Sequence, residues 1–253
     1  MLLKRLPGWL MLVVTVGWVA VPPAHAVKFT GVDLEGRQAR AEFTVDGADL
    51  LVTLTNTSPH DVTRADQVLT TLFFSLEGDP NLDTVSAALT GGSRFVNDPG
   101  GSAGANLGSN WVYRAGIPEG VMHGANQVVS SAYSFGEPFA GIQIGSTSSA
   151  GGLSYGILSE GDDPATKDGL TRKPLIQGGI LLRLTGLPSG FTEEQITDVY
   201  FKYGSTFQAP VVTGVLSAPE PATLALLGTG LIGLGCLARR RGSAAKREGR
   251  ART

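Results

Sequence analysis

Residues 40–58 read RAEFTVDGADLLVTLTNTS, and few chain geometries suit them. Ala41, Phe43 and Val45 alternate with polar neighbours, and Leu50, Val52 and Leu54 alternate again beyond Asp46-Gly47. A period of two puts successive side chains on opposite faces of a strand, and Asp-Gly is a favoured hairpin turn. The segment therefore predicts a β-hairpin with one apolar face. An isolated hairpin is marginal in water, so that face needs a second layer over it.

Six further segments read as strands: Leu69 to Leu76, Trp111 to Arg114, Ala140 to Ile144, Ser154 to Leu158, Gly179 to Leu184 and Val199 to Tyr203. Clusters of Gly, Pro, Asn and Asp separate them. With 35 glycines and 14 prolines in 253 residues, long helices are disfavoured. The fold expected is mainly β, a β-sandwich-like domain. A short helix is expected only in SGFTEEQITDV, residues 189–199, with Thr192 as its cap and Glu193 and Glu194 at its positive end. Residues 97–110 and 159–169 read as loops.

Charge divides the chain. Val27 to Ser217 hold 20 acidic and 11 basic side chains, net −9, whereas residues 1–26 hold two basic groups and residues 218–253 hold seven basic and two acidic. The acidic centre has no electrostatic attraction for phosphate backbones, so nucleic acid is not an expected partner. The sole cysteine, Cys236, lies outside that centre, which therefore has no disulfide, thiolate metal site or cysteine nucleophile.

Both ends address the chain to a membrane. Lys4 and Arg5 precede an apolar stretch, Leu10 to Val21, and Ala24-His25-Ala26 forms a small-x-small site. That order predicts a signal peptide over residues 1–26, recognised by signal peptidase through Ala24 and Ala26 and cut before Val27 on export through the Sec translocon. Ala222 to Ala238 are 17 residues without a charge, ended by Arg239, Arg240 and Arg241. This predicts a single C-terminal transmembrane helix with a stop-transfer cluster, and a basic cytoplasmic tail over residues 242–253. The domain 27–217 is then exported, tethered at first to the cytoplasmic membrane.

Within residues 218–241, Pro219-Glu220-Pro221, the apolar segment and the arginine cluster together closely resemble the PEP-CTERM sorting signal of exopolysaccharide-producing Gram-negative bacteria. The resemblance implies recognition by exosortase, an integral membrane transpeptidase-like enzyme that cuts near Pro-Glu-Pro and releases or transfers the exported part. The physics agrees: Pro219 and Pro221 lack N–H groups and fix φ, keeping an extended strip around Glu220. The twelve residues after Arg241 exceed the family's usual ending. The β-rich domain, with LLVTLTNTS early and VYFKYGS late, is more loosely similar to exported portions of PEP-CTERM surface proteins.

Motifs for chemistry are sparse. Gly228, Gly230 and Gly233 have dinucleotide-loop spacing without a βαβ context. Gly100-Gly101-Ser102-Ala103-Gly104 has nucleophile-elbow spacing inside a glycine-rich loop, with Asp98 and His123 as the remaining members of a conceivable triad. Asp79, Asn81 and Asp83 alternate as calcium ligands do, but Thr84 and Thr90 stand where a calcium loop needs Gly and Glu. Asp162 and Asp163 offer a second acidic pair. Asn56-Thr57-Ser58 reads as a turn after a strand. Trp111, Tyr113 and Tyr133 are expected in the core rather than on a sugar platform. No cofactor and no catalytic residue is assigned.

The expected function is that of a non-enzymatic exported surface or matrix protein, structural or adhesive in an exopolysaccharide or biofilm setting. The alternatives are a carbohydrate-binding module that tethers exopolysaccharide and a secreted hydrolase.

Overall fold

A computed structural model describes residues 26–98, 106–118, 124–140, 152–163, 170, 173–206 and 208–217. Its strands are numbered along the chain and form two sheets. The first holds β1 (Ala26–Val32), β2 (Gln38–Asp46), β3 (Asp49–Asn56), β5 (Asp83–Leu89), β12 (Gly179–Thr185) and β15 (Val215–Ser217). They lie in the order β15-β1-β2-β3-β12-β5, antiparallel throughout.

The second sheet is organised around β4 (Leu69–Leu76). On one side runs β13 (Ile196–Tyr203), which carries β14 (Val211–Thr213). On the other, β8 (Gln127–Ser130) leads through β7 (Val112–Ala115) to β9 (Glu137–Pro138). At Leu69, β4 also meets β10 (Ile157–Leu158), followed by β11 (Leu175–Gln177) and β6 (Arg94–Val96). Only β10 and β11 pair in parallel.

The opening hairpin folds as its pattern dictates. Asp46 pairs with Asp49 around the two-residue turn Gly47-Ala48, and Gly47 takes φ +63°, a conformation that costs glycine least. Ala39, Ala41, Phe43, Leu50, Val52 and Leu54 are fully buried on the inner face, with Arg40 and Thr53 on the other. Facing them from the second sheet are Leu72, Phe74, Trp111, Ile157, Val199 and Phe201 in the same apolar core. Phe43 sits at its centre, edge-on to Phe29 at 5.8 Å and tilted against Phe74 at 5.3 Å. A mainly β domain with two sheets over a shared core follows from this burial.

One side of the layers is closed by a strand that changes sheet. β14 pairs with β13 in the second sheet; after Gly214 the chain continues as β15 beside β1 in the first. The Gly214 N–H donates to the Val199 carbonyl at 2.7 Å. A Cβ at Gly214 would stand 2.9 Å from Val199 Cγ1 and 3.0 Å from the Val199 carbonyl oxygen, closer than side chains pack. The absence of a side chain is what permits the crossing.

Several expectations change. The helix at 189–199 is a single 3-10 turn, Glu193–Gln195, with the Thr192 N–H donating to Gln195 Oε1 at 2.9 Å as a capping pair does. From Ile196 the chain is strand, because Ile196, Val199, Phe201 and Tyr203 are buried between the sheets. The strand expected at Ser154–Leu158 shortens to Ile157–Leu158: residues 152–155 form a turn, with Tyr155 at φ +59° and its N–H bonded to the Pro174 carbonyl. Residues 141–144 of another expected strand lie outside the described residues, and Ala140 is not in a strand. Within the expected loop 97–110, Asn106 bridges Ala88, and Gly108–Asn110 form a 3-10 turn ahead of β7.

Candidate functional site

The expected processing points bracket the described fold. Ala26 is the first residue of β1 and pairs with Thr44; Ser217 is the last residue of β15 and pairs with Lys28. β1 and β15 are antiparallel neighbours, so the start of one lies beside the end of the other and both chain ends leave the same end of one sheet. The Thr30 and Ser217 hydroxyls are 3.0 Å apart across this seam. Pro219 follows Ser217 by two residues, a reach of about 7 Å at full extension.

The strand that leads to Pro219 is poorly held. It has three residues, pairs only with β1 and forms the sheet edge, with Val215 66% and Leu216 56% exposed. Such an edge offers unpaired backbone groups to an incoming chain. Ala24, Pro219, Glu220, Pro221, Arg239, Arg240 and Arg241 lie outside the described residues, as do the expected signal peptide up to residue 25 and the expected transmembrane helix. Among the described residues no helix is long and apolar enough to cross a membrane.

Of the residues considered for chemistry, Asp79 has its carboxylate engaged by Gln127 Nε2 at 2.8 Å. Asn81 and Asp83 line an open cleft of about 640 Å³ that also contains Arg114 and Glu137. Asp162 is buried and its carboxylate accepts the Val62 N–H at 2.6 Å, while the Asp163 N–H donates to Asp61 at 3.1 Å. No group of three or more His, Cys, Asp or Glu side chains among the described residues is placed to share a metal ion. Ser102 and His123 fall outside the described residues; Asp98 accepts a hydrogen bond from the Tyr155 hydroxyl at 3.1 Å. Asn56 is fully buried and donates to the Ile157 carbonyl at 3.0 Å, holding the turn after β3.

The aromatic residues serve the interior. Trp111 donates from Nε1 to the Tyr155 carbonyl at 3.2 Å, and the Tyr113 hydroxyl donates to Gln127 while accepting the Leu82 N–H. Tyr133 stacks on Phe135 at 5.0 Å, with the Arg114 guanidinium 5.5 Å from the Phe135 ring. Burial pushes the Tyr113 and Tyr133 hydroxyls up to about 12 and those of Tyr155 and Tyr203 higher still. These phenols are neutral packing groups at ordinary pH.

Several cations are neutralised: Lys28, Arg37, Arg64 and Arg183 each meet a carboxylate. Arg40 and Arg94 do not, and they border the same hollow on the outer face of the first sheet. Sequence reasoning missed that pairing. Its traces were the turn Thr90-Gly91-Gly92-Ser93-Arg94 and the doublet Gly178-Gly179.

No curated protein and no solved structure matches the chain. The segment that follows the edge strand does have a counterpart: residues 217–241, starting at the last residue of β15, are a PEP-CTERM protein-sorting motif.

Proposed function

We propose that the chain is a non-enzymatic exported protein of the cell surface or extracellular matrix, cut after Ala26 by signal peptidase and near Pro219-Glu220-Pro221 by exosortase. The sorting motif at residues 217–241 carries this reading, since it implies export, surface sorting and exosortase as the processing partner. The apolar run Ala222 to Ala238 serves as a transient membrane anchor and Arg239, Arg240 and Arg241 as its cytoplasmic stop. The β-domain is what remains after processing. Its role is structural or adhesive in an exopolysaccharide or biofilm setting; its compact core with neutral buried phenols suits a scaffold.

The test is the intact mass of the protein recovered from the cell surface and from the medium. The expected species runs from Val27 to about Pro219. Recovery only of protein that retains Thr253 would overturn the reading. Deleting exosortase should leave the C-terminal segment in place while the cut at Ala26 still occurs.

A further inference from the structure

On the outward face of the first sheet, Thr30, Arg40, Thr55, Gly179 and Thr90 are successive partners along one row across five strands or their ends. Gly179 is required in that row, because a Cβ there would stand 2.8 Å from the Leu54 carbonyl oxygen and 2.9 Å from Thr55 Oγ1. Beside it the turn 90–93 rises at the sheet edge. Thr90 and Ser93 share a hydroxyl contact at 2.7 Å, and Ser93 Oγ accepts the Gly179 N–H at 2.8 Å, tying the turn to the floor. The result is an open hollow of about 380 Å³ bordered by Arg40, Thr53, Thr55, Ser93, Arg94 and Glu160. That volume falls in the range of about 300–1,000 Å³ common to small-molecule sites.

The polar groups of the hollow are available to a ligand. Arg40, Thr53 and Thr55 make no side-chain hydrogen bond or ion pair to a described residue. Arg94 donates from Nε to Gln177 Oε1 at 2.9 Å, which holds the guanidinium in place and leaves its terminal nitrogens for another acceptor. Glu42, next outward along β2 from Arg40, is taken up by Lys28 at 3.6 Å. Among the described residues Glu160 is the one carboxylate bordering the hollow, so two arginines against one glutamate leave these residues a local charge of +1 inside a domain of net −9. A net charge of +1 matches one carboxylate at a time, and the acidic surface around it disfavours a compact dianion such as phosphate. Guanidinium forks match carboxylates bidentately, and threonine hydroxyls suit ring hydroxyls as donors or acceptors. Leu181, 36% exposed and paired with Thr53, adds an apolar neighbour for the C–H face of a sugar.

We propose that this hollow binds a carboxylate-bearing sugar, a uronic acid unit, with Arg40 and Arg94 on the carboxylate, Thr53 and Thr55 on ring hydroxyls and Leu181 against the ring. The row lies four residues along β1 from Ala26, about 13 Å towards the end of the sheet away from the chain termini. The inference stands apart from the sorting reading, because a purified chain binds or fails to bind whatever becomes of its ends.

The experiment is calorimetric titration of the full purified chain with tetragalacturonate, with the neutral maltotetraose, and with inorganic phosphate. Saturable binding of tetragalacturonate is expected, with neither maltotetraose nor phosphate binding at millimolar concentration. Arg40→Ala and Arg94→Ala should each weaken it by about tenfold, the equivalent of one charge-assisted hydrogen bond, while Arg114→Ala, at the separate cleft of the second sheet, changes it less than twofold, on the order of experimental scatter. Arg40 and Arg94 are exposed, and unchanged thermal unfolding of the variants checks that the fold is kept. Equal binding of the neutral sugar, binding of phosphate alone, no binding of tetragalacturonate, or indifference to both arginine substitutions would overturn the proposal.

Discussion

Gly214→Ala tests whether the sheet-changing strand is held as described. The new Cβ would lie 2.9 Å from Val199 Cγ1 and 3.0 Å from both Val199 Cβ and the Val199 carbonyl oxygen. Val199 is buried in the core and its carbonyl accepts the Gly214 N–H at 2.7 Å, so neither partner can yield without loosening β13 or the bond itself. Overpacking of this kind costs about 1–3 kcal/mol, offset by about 0.4–1 kcal/mol from the reduced freedom of the unfolded chain. A net loss of about 1–2 kcal/mol lowers Tm by about 2–8 °C for a domain of this size. The matched control is Gly161→Ala, where no atom lies within 4 Å of the new Cβ and the backbone is not left-handed. It should be neutral or raise Tm slightly. Thermal unfolding followed by circular dichroism compares the two, and hydrogen exchange at Val215–Ser217 shows whether β15 loosens first. A Gly214→Ala protein as stable as Gly161→Ala, with β15 equally protected, would refute the close-approach argument.

Removing the central aromatic by Phe43→Ala should cost about 3–5 kcal/mol in a denaturant titration, whereas Phe135→Ala, at a 40% exposed position, should cost less than half as much. Stability should fall as pH rises above about 10: the unfolded tyrosines lose their protons there, while Tyr113 and Tyr133 hold theirs to about 12, so the folded state binds more protons in that window. Denaturant midpoints measured from neutral to alkaline pH check the sign, and a midpoint that rises there would contradict it. Thr30 and Val215 are directly paired on β1 and β15, so a T30C/V215C cross-link in a Cys236→Ser background should pin the edge strand and slow C-terminal processing until a reductant is added. Processing at the same rate in both states would show that β15 need not leave the sheet.

The hairpin at 40–58 was legible because both of its strands have one buried face, although its turn falls on Gly47-Ala48, one residue beyond the expected Asp46-Gly47. β4 was legible for a different reason: Leu69–Leu76 is a compact run, every residue of which is buried. The short pieces were not. β9 and β11 have two or three residues each, too few to show a period, β10 is the last two residues of a longer expected strand, and its parallel pairing with β11 depends on chain crossings that no local pattern encodes. Val199 to Tyr203 are strand as expected, but the residues just before them misled, because the beginning and the end of 192–203 obey different rules. Thr192 and Gln195 supply helix-capping chemistry, but a register shift between Thr197 and Tyr200, with Asp198 at φ +49°, breaks the alternation that would have marked a strand. The sorting motif was plain because its parts are contiguous, whereas the arginine-bordered hollow assembles residues 40, 53–55, 90–94 and 160–179, joined only by pairing across the first sheet.

Neighbouring ends also decide how the domain meets mechanical load. A force that separates Ala26 from Ser217 unzips β15 from β1 one backbone bond at a time, and three paired residues give little resistance. A protein with this layout is a poor link in series through its own termini. A load it can bear has to enter through the flanks of the sheets, where many bonds share the strain at once.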